Sequence, residues 1–138
     1  MYKKYLLALT ICILFSGILF AGDPNAQKKV YKATIENGIQ SVEIVGGRYY
    51  FAPDYIIVKV NVLVELNVKK DGFIVPHDIV MNEPEAGIVF KESLSTGSKT
   101  IKFTPQKVGK FHFYCDKKLP FFKSHREEGM EGVLEVVE

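Results

Sequence analysis

The chain has 138 residues, 47% of them hydrophobic and 25% charged, which suits one small globular domain and excludes two full domains or a disordered polypeptide. Its formal charge of +2 comes from 18 Lys+Arg against 16 Asp+Glu; residues 1 to 22 hold Lys3 and Lys4 but no acid, so the remainder balances at 16 against 16. A nucleic-acid binder needs a basic excess on its folded part to neutralise phosphates, so that class is set aside.

In chain order, the basic Met1 to Lys4 and the apolar run Leu6 to Ala21 have the arrangement of a secretory signal. The small-x-small pattern of a cleavage site is poorly met around Leu19, Phe20, Ala21 and Gly22. Residues 1–22 are therefore expected to be a signal peptide or an N-terminal membrane anchor, although the run is short for a span, which needs about 20 apolar residues. Either way the mature chain is expected in the periplasm or another extracytoplasmic space, touching a membrane only if the segment is uncleaved. Cys12 reads as filler within the run. Residues 23–40 are polar and weakly patterned, a linker or a first strand, and residues 41–138 carry the domain.

From Ser41 the pattern is strands and turns. Val60, Val62, Val64, Leu66 and Val68 share one parity while Asn61, Glu65, Asn67 and Lys69 share the other, the period of two of a half-buried strand. Ser41 to Val45, Tyr55 to Val58, Asp78 to Met81, Thr100 to Thr104, Lys110 to Cys115 and Val133 to Val137 read as further strands. Gly46-Gly47, Asp71-Gly72, Glu83-Pro84 and Thr104-Pro105 separate them. No ten-residue stretch has a helical period. An all-β antiparallel Greek-key sandwich or barrel is predicted.

Export makes the cysteine count informative, because structural cysteines in an oxidising compartment normally pair and only Cys115 follows the N-terminal run. A lone thiol there is reactive, intermolecularly bonded or a metal ligand. Its neighbours favour the last. Cys115 ends a strand, a nine-residue loop leads to His125, and four more residues precede Met130 and the final strand. Val75-Pro76-His77-Asp78 adds an imidazole at the start of an earlier strand. A thiolate, two imidazoles and a weak axial thioether are the ligand set of copper electron-transfer sites.

The joint pattern of Val-Pro-His77, Tyr-Cys115, His125 and Met130-Glu-Gly before a last strand resembles that of the cupredoxins, the blue-copper family, over roughly Val42 to Val137. The resemblance implies a cupredoxin-type sandwich and one type 1-like copper ion held by His77, Cys115, His125 and Met130. Two features depart from the family. The Cys115 to His125 interval is longer than in its small electron carriers and closer to that of copper nitrite reductases. The asparagine that commonly follows the first histidine and ties the ligand loops together is here Asp78, which when ionised can only accept hydrogen bonds. Its charge would favour the oxidised metal.

Each ligand also has a plainer reading. Cys115 shares parity with Phe111 and Phe113 and would suit a core. His77 would suit a strand edge, His125 a solvated charged run, and Met130 simple packing. His112, of opposite parity to Cys115, is given no role. The loop Asp116 to Glu128 carries Lys117, Lys118, Lys123 and Arg126 beside Leu119-Pro120-Phe121-Phe122. Two readings stand: a redox partner protein with an acidic face docks on Lys117, Lys118, Phe121, Phe122 and Lys123, or the phenylalanines fold inward to lengthen the core. In the docking reading electrons enter through an exposed edge of His125, with His77 better buried.

Three classes of function follow. An electron carrier needs a closed site of four protein ligands. Copper storage or delivery would use the same ligands but tolerate an open one. An enzyme is disfavoured: a hydrolase built on Cys115 lacks any recognisable oxyanion-hole signature, and a multidomain copper reductase needs an all-histidine copper for which only His112 is left.

Overall fold

A computed structural model describes residues 30–72 and 74–138. The signal or anchor expected over residues 1–22, with Cys12, lies outside the described residues. Two sheets face each other. The first runs β1 (Val30–Lys32), β5 (Tyr55–Lys59), β11 (Glu131–Val137), β10 (Gly109–Tyr114), β7 (Asp78–Glu83) and β8 (Ile88–Ser93). The second runs β2 (Ile35–Glu36), β3 (Ile39–Gly47), β6 (Leu63–Lys70) and β9 (Lys99–Phe103), with β4 (Tyr50–Ala52) paired to β3. The only helical element among the described residues is a single 3-10 turn, Pro84–Ala86.

Alternation builds the core. Val42 and Ile44 of β3 and Val64, Leu66 and Val68 of β6 are buried from one sheet. Ile56, Val58, Ile79, Met81, Phe113, Leu134 and Val136 are buried from the other. Apolar burial between two inner sheet faces is the main stabilising term of such a sandwich. Gln40 is also buried, and its amide bridges the layers at no cost in unmet hydrogen bonds: Oε1 accepts from Lys59 N at 2.6 Å and Nε2 donates to Lys59 O at 3.1 Å.

Several expectations change. The sheets are mixed rather than antiparallel, because β5 runs parallel to both β1 and β11, and β3 runs parallel to β6. The strand read from Val60 begins at Leu63; Asn61 sits at φ 60° in a turn where its N–H reaches Pro105 O at 2.8 Å. Strands β1, β2, β4 and β8 add to those expected from the sequence; β1 and β2 fall within residues 23–40, a linker or first strand by their sequence. Register then brings three chain segments to one end. Tyr114, the last residue of β10, lies opposite Glu131, the first of β11, and opposite Val80 near the start of β7.

Candidate metal centre

That shared end holds Cys115 after β10, Met130 before β11 and His77 before β7. His125 lies in the intervening loop, which is laced to itself by main-chain bonds: His125 N donates to Lys117 O at 2.9 Å, Met130 N to His125 O at 2.9 Å and Cys115 N to Met130 O at 3.0 Å. His77 arrives from outside this loop, its carbonyl accepting from Leu94 N at 2.9 Å. Two glycines make the approach possible. A Cβ on Gly132 would stand 2.3 Å from the Phe113 ring and 2.6 Å from Asp54 O, and one on Gly46 would stand 2.6 Å from Leu94 and 3.2 Å from Met130 Cε.

The side chains of His77, Cys115 and His125 converge, with one ligand atom from each lying within 4.8 Å of the others. His77 Nδ1 is 3.1 Å from His125 Nδ1, and Cys115 Sγ is 3.4 Å from His125 Nδ1. Cys115 and Met130 are fully buried. Burial, reinforced by His125 and Lys70, lowers the His77 imidazole to about 4, so it is neutral at pH 7. Burial likewise pushes the Cys115 thiol up to about 11, so a metal must displace a proton there. Two imidazoles and a thiol aimed at one point in a water-poor pocket fit a borderline-soft metal ion.

Asp78 ties the two ligand segments. Its N–H points at Cys115 Sγ at 3.5 Å, and its Oδ1 accepts from Asp116 N at 2.9 Å. A carboxylate thus makes the link between ligand loops by accepting. Asp78 is fully buried and its Oδ2 has no hydrogen-bond partner, but Lys117 Nζ stands 3.4 Å away and balances the charge. Asp116 is in turn paired with Lys91.

Three readings of the surroundings fail. His125 has no exposed edge: it is 2% exposed, its Nε2 is buried without a partner, and the Tyr49 ring lies against it edge-on at 5.2 Å. His77, 4% exposed, is no better buried and lines a surface cavity of about 390 Å³ with Arg48, Tyr49, Asp71, Ile74 and Val75. Sequence reasoning missed Tyr49, which sits at φ 60° at the tip of the β3–β4 hairpin after a Gly-Gly pair read only as punctuation. Nor do the loop phenylalanines fold inward, since Phe121 and Phe122 are 105% and 69% exposed. His112 is exposed and takes no part in the cluster.

No protein-family model and no curated sequence matches the chain. Solved structures do. The metal-binding domain of the Cu(I)-exporting P-type ATPase CopA of Streptococcus pneumoniae D39 aligns with a TM-score of 0.62 at 24% identity, over 80% of this chain and 98% of that one. Auracyanin A, a blue copper protein of Chloroflexus aurantiacus, aligns at 0.55 and 16% identity over 72% and 100%. The periplasmic domain of cytochrome oxidase subunit II of Bradyrhizobium japonicum aligns at 0.53 and 19% over 71% and 83%. By its two-sheet architecture the chain is a protein of the cupredoxin fold.

Proposed function

We propose that the chain is an exported mononuclear copper protein that carries electrons, in which His77, Cys115 and His125 would be the principal ligands and the Met130 thioether a weaker fourth. One observation carries the reading: the buried convergence of two imidazole nitrogens and one cysteine sulfur within 4.8 Å. A copper ion in such a set supplies one-electron chemistry between Cu(I) and Cu(II). The chain's own part is to keep the ligands fixed in both states. The laced Cys115 to Met130 loop and the Asp78 tie support that rigidity, and burial under Tyr49 keeps water and competing ligands out. The basic, apolar N-terminal run supports an extracytoplasmic location. Reversible voltammetry of the copper-loaded protein, cycling repeatedly with no loss of metal, is the expected result.

Copper delivery is the second reading, favoured by the likeness to the domain of a Cu(I)-exporting ATPase. It requires release. Rapid surrender of Cu(I) to a competing chelator, with no reversible redox wave, would replace the carrier reading with this one.

A further inference from the structure

The loop between Cys115 and His125 carries an apolar tip that the metal centre does not use. Phe121 and Phe122 are exposed and Leu119 is 42% exposed, although each would be expected inside a small domain. The tip is built. An isolated bridge between Lys118 and Ser124 closes its base, Phe122 N donates to Leu119 O at 3.2 Å, and Phe121 takes φ 66°, a left-handed conformation uncommon for a bulky residue. The turn therefore projects its rings outward rather than letting them fold back.

Charge around the tip has a basic excess: after the larger effect of the Ser124 hydrogen bonds, Lys118 and Lys123 both act on the single carboxylate of Glu127 and lower its pKa. The loop's acids are engaged locally: Asp116 pairs with Lys91, and Glu127 accepts from both the N–H and the hydroxyl of Ser124 at 2.7 Å. Arg126 pairs with Glu131 at 3.1 Å, and Glu128 is exposed at the far end of the loop. Lys118 and Lys123, which bracket the tip, form no ion pair within 4.0 Å among the described residues.

We propose that this tip docks the protein on an anionic lipid bilayer, with Leu119, Phe121 and Phe122 entering the headgroup–acyl boundary and Lys118 and Lys123 lying at the level of the lipid phosphates. Apolar side chains flanked by lysines are the composition of interfacial membrane anchors, and anionic surfaces attract such cations. Shape separates this occupant from a partner protein. A convex tip of adjacent, outward-facing rings needs a matching pocket on a protein, whereas a fluid bilayer accepts it without one. Docking in this way turns the ligand end of the sandwich towards the membrane.

The chain has no tryptophan, so a Phe122→Trp substitution in the full-length protein gives a reporter at the tip alone, whatever the N-terminal segment does. Titration with vesicles of equimolar phosphatidylglycerol and phosphatidylcholine should shift its emission to the blue, and acyl-brominated lipid should quench it. Phosphatidylcholine alone should do much less, and salt should weaken the response. Lys118→Glu with Lys123→Glu, on the reporter background, should weaken partitioning by about thirtyfold or more, the product of two surface cations. A Val89→Trp reporter, at an exposed position on β8 opposite Asn82 and so towards the other end of β7, should not respond. An unchanged Phe122→Trp emission on anionic vesicles overturns the proposal, as does an equal response from Val89→Trp. A response only to a negatively charged redox protein overturns it in favour of a protein partner. The readout needs no metal, so its failure is separate from failure of the copper reading.

Discussion

The stretch from Cys115 to Met130 and the segment around His77 bring ligands to one point by different means. The first is laced by its own main chain, through three hydrogen bonds that link Cys115, Lys117, His125 and Met130. The second is not laced in this way: His77 is held by Leu94 N–H and meets the first through Asp78 and through its own ring, whose Nδ1 is 3.1 Å from His125 Nδ1. Local lacing makes three candidate ligands one unit, while the fourth depends on sheet pairing between distant strands. Perturbations of the two regions should therefore fail differently.

The largest effect is expected at the base of the laced stretch. Gly132→Val drives a side chain into the Phe113 ring and the Asp54 carbonyl and should cost about 3 kcal/mol of stability in a urea titration. A near-neutral result would mean that this register is loosely set. Acid should strike the His77 side instead. Its folded-state value of about 4 lies below the ordinary 6.5, so on acidification the unfolded chain takes a proton that the folded one refuses. The metal-free protein should thus lose roughly 3 kcal/mol between about pH 6.5 and 4. His77→Gln should flatten that slope, and an unchanged slope would assign the titration elsewhere.

The tie itself should give a smaller effect. Asp78→Ala leaves the Asp116 N–H without its part-buried acceptor and should cost about 1 kcal/mol. Asp78→Asn keeps an oxygen for that N–H and should retain most of the stability. Equal losses would show that the Lys117 pairing, not the acceptor, holds the loops together. Smallest of all, Lys102→Ala on the sandwich body removes only an exposed pair with Glu65, and its melting curve should shift by less than about 1 kcal/mol.

The same division explains what could be read in the sequence. Strands with one buried face were legible, because apolar parity in Val64, Leu66 and Val68 survives whatever pairs with them. Strand β8 was not, since only Ile88 is fully buried while Val89, Lys91 and Ser93 are exposed on a sheet edge. Parallel pairing of β5 with β11 was illegible for another reason: it joins residues far apart in the chain and leaves no local signature. Within the site, the metal-binding residue types stood out at strand ends, so His77, Cys115 and His125 could be found. Their surroundings could not. Tyr49 covers His125 from a hairpin on the other sheet, and nothing in the charged run around His125 signals that contact.

The central claim is that Cys115, with His77 and His125, binds copper as a thiolate in a preformed buried site. The optical spectrum of the protein titrated with Cu(II), measured beside its Cys115→Ser variant, tests this most directly. An intense thiolate-to-copper charge-transfer band that saturates at one ion per chain and vanishes in the variant is the expected result. A colourless Cu(II) complex of the unaltered protein, or a band that persists without the Cys115 sulfur, would contradict it.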